Sequence, residues 1–70
     1  MAADRVGDEC WYELRGNGWS KGTVRRWTEK IGPMLSIPVL LVEDLKTGFV
    51  EEVAFSRVCF AQEKPETSRF

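Results

Sequence analysis

The dipeptide Asn17-Gly18 lies between two segments rich in aromatic and β-branched residues, and it constrains the fold more than any other feature. Asn-Gly supplies the positive φ angles that a tight turn between antiparallel strands requires. In residues 6–14, before this turn, two sets of side chains alternate from Glu9 onward: Cys10, Tyr12 and Leu14 against Glu9, Trp11 and Glu13. This period is typical of a half-buried strand, and residues 19–28 are predicted to form the strand that pairs with it.

Three further strand segments follow, separated by glycine and proline. Because Gly32-Pro33 interrupts regular structure, the segment around it is predicted to be a loop of about eight residues. The next segment is apolar on both faces, as in the central strand of a tight barrel. The expected elements are the loop at 29–36, strands at 37–44, 49–54 and 59–61, a turn at 45–48, and one helical turn at 55–58.

This order of elements predicts an all-β fold, a five-stranded SH3-like barrel with a short helical turn before the last strand. Residues 1–61 would form this single domain, residues 62–70 a flexible tail, and Gly22 a bend or bulge in strand two. No segment repeats apolar residues at helical spacing over more than two turns. An OB-fold is the main rival, but residues 45–48 leave no room for its helix between strands three and four.

Composition excludes several classes of protein. The chain has 70 residues, 43% hydrophobic and 30% charged, which is typical of one soluble domain. A domain this small often depends on disulfides, metals or self-association for stability. A formal net charge of −1 gives no global attraction to nucleic acid or to anionic membranes. Without a long apolar run or a signal peptide, the chain is expected to be cytoplasmic, with no membrane partner.

Catalytic and metal-binding residues are scarce. The chain has no histidine, and Cys10 and Cys59 are far from any Cys-x-x-Cys spacing, so no metal and no cofactor are expected. In a reducing compartment both cysteines are predicted to be free thiols, although their pairing stays open. Neighbouring carboxylates along a strand face opposite ways, which gives no acid–base pair, and we expect no enzymatic activity.

Several segments resemble the Tudor-type branch of the SH3-like barrels. Gly7-Asp8 opens the first strand, residues 18–24 place an aromatic residue and then small residues before an inward valine, and residues 42–58 resemble the acidic strand, glycine turn and helical turn of the Tudor close. The likeness covers residues 6–60 and implies a binding module. Tudor domains that bind methylated lysine or arginine use a cage of several aromatic rings. In the matching positions this sequence has Leu14, Trp19, Glu43 and Leu45, so Trp19 is the one ring available for such a cage. The C-terminal DNA-binding domain of retroviral-type integrases shares the same outline.

Two functions follow from the distribution of aromatic and charged residues. The first is protein–protein interaction, with a partner protein or by self-association into a homo-oligomer, because a chain this short cannot bury every large side chain. The predicted interface consists of Trp11, Trp19, Trp27, Ile31, Met34 and Leu35. The alternative is nucleic-acid binding, because cations interleaved with flat rings suit single strands. Its predicted residues are Arg15, Lys21, Arg25 and Arg26, which cross-strand pairing with glutamates would instead neutralise.

Overall fold

The computed structural model describes residues 5–14 and 18–66, and this part of the chain is all-β. Five strands form one antiparallel sheet, with a 3₁₀ turn before the last strand. Their bounds are β1 Glu9–Glu13, β2 Trp19–Ile31, β3 Ser36–Asp44, β4 Val50–Ala54, the 3₁₀ turn Phe55–Arg57, and β5 Val58–Cys59. The predicted all-β fold of five strands, with a helical turn before the fifth, is confirmed.

The strand order in the sheet is β4-β3-β2-β1-β5, so the first and last strands are neighbours. β1 pairs with β2 from Glu9 opposite Thr23 to Glu13 opposite Trp19. Of the predicted Asn-Gly turn between them, Asn17 lies outside the described residues, as does Arg15. Gly18 has a φ of +88°, a positive value of the kind that this turn requires, and the antiparallel pairing on either side agrees with a hairpin. β4 and β5 form the two edges of the described sheet.

The connection between β2 and β3 differs from the predicted eight-residue loop. β2 continues to Ile31 and β3 begins at Ser36, so only residues 32–35 form the turn. The backbone N–H of Gly32 donates to the Leu35 carbonyl at 2.8 Å and closes it. Gly32-Pro33 therefore lies within a short hairpin turn. The residues on either side of the turn continue the ladder, with Lys30 opposite Ile37.

The irregularity in β2 lies at Arg25 and not at Gly22. Val24 pairs with Val42 and Arg26 pairs with Leu41, so Arg25 is the extra residue of a β-bulge. Gly22 stays in regular pairing with both neighbouring strands. A larger residue would not fit at this position, because an added Cβ would lie 2.5 Å from Val42 Cγ1.

The core contains side chains from all five strands. Its buried members are Cys10, Tyr12, Val24, Leu40, Val42, Val53 and Val58, with Leu14, Trp27 and Phe60 packed against them. The predicted inward face of β1 is confirmed for Cys10 and Tyr12. Glu13, which the alternation placed on the outward face with Trp11, is instead buried, with 1% of its surface exposed. Trp19, opposite Glu13, is also buried, and the buried Tyr12 precedes Glu13 on the other face of the strand, so both faces are covered at this end of β1.

Both cysteines are free thiols. Burial raises the pKa of the Cys10 thiol to about 11, against a small lowering by Lys21, so this group stays protonated at neutral pH. Within residues 5–14 and 18–66, the structure has no helix with the length and apolar character needed to cross a lipid bilayer.

Candidate binding surfaces

The first candidate surface is the end of the β2–β3 hairpin, which we call the hairpin tip and define as residues 30–35 with Ile37. Its apolar side chains are largely exposed: Met34 by 89%, Ile31 by 84%, Leu35 by 61% and Ile37 by 47%. Side chains of this size and exposure on one turn form a continuous apolar patch, which is uncommon on a monomeric protein outside a contact site.

Polar contacts fix the base of the hairpin tip. Lys30 Nζ lies 2.6 Å from Glu52 Oε1 on β4, and the Ser36 hydroxyl donates to Glu29 Oε2 at 3.2 Å. These contacts join β2 to β3 and to β4 next to the tip, so the tip projects from a paired ribbon. Its side chains surround a shallow recess of about 340 Å³, so the patch has both a protruding methionine and a concavity.

The second candidate surface is a cleft at the opposite end of the β2–β3 ribbon, which we call the tryptophan cleft. It is formed by β1, the start of β2, the end of β3 with the β3–β4 turn, and the segment after β5. Its volume is about 340 Å³, and it is lined by Trp11, Trp19, Ser20, Lys21, Asp44, Leu45, Lys46 and Lys64.

Asp44 organises one wall of the tryptophan cleft. Its Oδ1 accepts hydrogen bonds from the backbone N–H groups of Lys46 at 2.7 Å and Thr47 at 3.0 Å, which is an Asx turn. Its Oδ2 accepts the hydroxyl of Tyr12 at 2.6 Å. The bond from Tyr12 and the turn amides lower the pKa of the Asp44 carboxyl, so it is ionised at neutral pH.

The same contact affects Tyr12. Burial and then the hydrogen bond to Asp44 raise the pKa of the Tyr12 phenol, which therefore stays a donor across the physiological range. Because Asp44 joins Tyr12 in β1 to the β3–β4 turn, it fixes the positions of Leu45 and Lys46. The Leu45 N–H also donates to the Lys21 carbonyl at 3.0 Å, which draws the turn against β2.

The charge of the cleft is opposite in sign to that of the chain. Three lysines and one aspartate line it, a formal sum of +2, whereas the chain has −1. Lys21 Nζ lies 4.8 Å from the centroid of the Trp11 ring and 3.6 Å from Glu9 Oε1. No ion pair involves Lys46 or Lys64 within the described chain.

Trp11 contributes a polar atom without a hydrogen-bond partner. Its Nε1 is buried and has no hydrogen-bond partner among the described residues. A buried donor left unpaired costs about 1–3 kcal/mol. Trp11 as a whole is half-buried.

The structure separates the six residues of the predicted protein interface into three places. Ile31, Met34 and Leu35 come together at the hairpin tip, whereas Trp11 and Trp19 line the tryptophan cleft. The Trp27 ring packs against the core and lies 5.2 Å from the Phe55 ring, centroid to centroid.

The predicted nucleic-acid residues do not form one surface. Arg15 lies outside the described residues. Arg25 Nε is 2.5 Å from Glu43 Oε1 on the neighbouring strand, so this cation is neutralised by cross-strand pairing. Arg26 is exposed, and only Lys21 of the set lines the tryptophan cleft.

Sequence reasoning missed Leu45, Lys46 and Lys64 as members of a site. Leu45 and Lys46 lie in a turn that sequence treats as a connection, and Lys64 lies in the segment predicted to be a flexible tail. A signal was present for the turn, because Asp44 followed by Thr47-Gly48 is typical of an Asx turn with a glycine at positive φ. The acidic and thiol side chains of the described ranges form no group of three that could hold a metal ion.

The chain matches no protein-family model, no curated protein and no solved structure at a significant level. Any functional argument therefore depends on the geometry of the two surfaces.

Proposed function

We propose that the chain is a small, non-enzymatic binding module of the SH3-like, Tudor-like kind that mediates protein–protein contact through its hairpin tip. The strand order β4-β3-β2-β1-β5 and the 3₁₀ turn before β5 support the likeness noted in the sequence. The observation on which the proposal depends is the exposure of Ile31, Met34 and Leu35 on a turn whose base is fixed by polar contacts.

The proposed partner is a second copy of the chain. A two-fold dimer requires one patch that is complementary to itself, and the hairpin tip has a protruding Met34 beside a recess lined by the same turn. The only charge in this patch, that of Lys30, is already paired with Glu52, so two tips would meet without repulsion. Preordered β-structure also loses little conformational entropy on association.

The proposal includes no catalytic role, no cofactor and a cytoplasmic location. Three carboxylates of the sheet make structural contacts, which leaves them poorly placed for acid–base chemistry: Glu43 with Arg25, Glu52 with Lys30, and Asp44 with Tyr12. The two free thiols are consistent with a reducing compartment.

Light scattering coupled to size-exclusion chromatography tests the proposal. We expect the wild-type protein to form a dimer at micromolar to millimolar concentration and Met34→Asp to be a monomer. Each buried methionine contributes about 1.5–3 kcal/mol, and the two-fold axis doubles the loss, so the dissociation constant should rise at least about 100-fold.

The matched control is Phe49→Asp, which places the same charge on an apolar residue that is 69% exposed outside the hairpin tip. It should leave the dimer intact, and circular dichroism should show both variants folded. A wild-type protein that stays monomeric at every concentration, or equal dissociation by both substitutions, would refute self-association through this surface.

A further inference from the structure

We propose that the tryptophan cleft binds a nucleotide unit, with its phosphate on the lysines and its base against the indole wall. This inference concerns a different surface from the hairpin tip and does not depend on the proposed self-association. It also differs from the basic face expected from the sequence, because Arg25 is paired with Glu43 and the cations involved are Lys21, Lys46 and Lys64.

The lining of the tryptophan cleft is positively charged. The lining residues sum to +2 in a chain of −1, so an anion is drawn to this place more strongly than to the surface as a whole. The negative charge of Asp44 is already included in this sum, and its carboxylate oxygens accept bonds from Tyr12 and from the turn amides. Lys46 and Lys64 have no ion pair within the described chain, so a ligand phosphate need not displace an acidic partner from either of them.

Two indole rings form an aromatic wall of the cleft. Trp11 and Trp19 line the same cleft as the cations, and proteins that bind single-stranded nucleic acid combine flat rings for the bases with cations for the phosphates. Lys21 already lies over the Trp11 ring and close to Glu9, and its long side chain allows the ammonium to turn toward a phosphate. An acidic peptide would satisfy the lysines but would leave the indole wall without a planar partner.

Size and hydrogen bonding are consistent with the same ligand. A volume of about 340 Å³ lies at the lower end of the range for small-molecule sites and suits one nucleotide unit. Trp11 Nε1 is a buried donor without a partner in the described chain, and base edges present carbonyl and ring-nitrogen acceptors.

Fluorescence anisotropy with a labelled short oligothymidylate at low salt tests the proposal. The double variant Lys46→Ala/Lys64→Ala should bind about 100-fold more weakly, roughly ten-fold for each charge-assisted hydrogen bond lost. Its plot of log K against log salt should also become shallower by about 0.7, the value for one phosphate contact of a single strand. The matched control Arg25→Ala/Arg26→Ala removes the same charge from an exposed part of β2 outside both candidate surfaces and should stay within a few-fold of wild type.

Competition experiments distinguish the sources of the ligand. Displacement by thymidine monophosphate supports a site for single nucleotide units, and displacement by unlabelled oligonucleotide alone supports nucleic acid as the source. Equal competition by inorganic phosphate, or by oligoglutamate of the same charge as the oligothymidylate, would overturn the nucleotide assignment. So would the absence of binding at low salt, or equal weakening in the cleft variant and its matched control.

Discussion

At the scale of single residues, Gly22 determines how closely β3 approaches β2. It lies opposite Cys10 in β1 and Asp44 in β3. A Cβ built there would be 2.8 Å from the backbone oxygen of Glu43, and backbone atoms move only if the ladder moves. The absence of a side chain at this position is therefore a packing requirement of the core, not a source of flexibility.

We predict that Gly22→Ala lowers the free energy of unfolding by about 1–3 kcal/mol, the usual range for overpacking a filled core. Chemical denaturation monitored by tryptophan fluorescence measures this loss. Gly32→Ala is the control, because an added Cβ there meets a single atom, the Leu35 carbonyl oxygen at 3.3 Å, in an exposed turn. A Gly22→Ala protein as stable as wild type would contradict the close packing of β2 against β3.

At the scale of elements, the β3–β4 turn depends on one carboxylate. Asp44 accepts bonds from Tyr12 and from two amides of its own turn, and these bonds favour its ionised form. Because the pKa of Asp44 is lower in the folded protein than in the unfolded chain, its contribution to stability is present above the unfolded value of about 4. That contribution is lost as the pH falls through the folded pKa.

We predict that the Asp44→Asn variant loses less stability than the wild type as the pH falls below about 4, because the amide cannot titrate. At pH 7 the variant should be less stable than wild type by about 1–2 kcal/mol, since bonds to a charged acceptor become bonds to a neutral one. Urea denaturation at a series of pH values measures both effects. Leu45→Ala retains the Asp44 carboxylate and the hydrogen bonds that it accepts, and it provides the control, whose acid profile should keep the wild-type slope.

The elements were predictable from sequence to different extents. Alternation located β1, and the spacing of Gly and Pro located the turns, but β2 was predicted too short because Gly32-Pro33 was given a full loop. The bulge at Arg25 changes which residues of β2 face the core. Val24 and Trp27 both pack toward the core although they are three residues apart, whereas residues three apart in a regular strand face opposite sides.

The candidate surfaces were less predictable, because they depend on contacts between distant segments. The hairpin tip is contiguous in sequence, so Ile31, Met34 and Leu35 could be named from the sequence as apolar members of one segment. The tryptophan cleft joins β1, β2, the β3–β4 turn and residue 64, and each of its three lysines comes from a different one of these segments. Local pattern has no information about Lys64, which is distant in sequence from every other residue of the cleft.

At the scale of the whole molecule, the two surfaces lie at opposite ends of the β2–β3 ribbon. Trp19 begins β2 and Ile31 ends it, so the hairpin tip and the tryptophan cleft share no residue. Distant sites without shared partners usually behave additively. The molecule can therefore present one surface for assembly and another for a ligand.

We predict that substitutions at one surface leave the other unaffected. Met34→Asp should bind oligothymidylate within about two-fold of wild type, and Lys46→Ala/Lys64→Ala should keep the wild-type oligomeric state, because independent sites couple by only about 0.3–0.5 kcal/mol. Anisotropy and light scattering on the same preparations measure both quantities. Loss of ligand binding in Met34→Asp would show that the cleft is completed by a second copy of the chain.

The two edge strands have a consequence for behaviour at high concentration. β5 has two residues, and β4 has five with Glu51 and Glu52 in succession, so one acidic group faces each side of that border. Short borders with charged side chains give an incoming polypeptide few free amides on which to extend a cross-β ladder. Concentrated samples should therefore resist conversion into amyloid-like fibrils, even though the same protein exposes several large apolar groups.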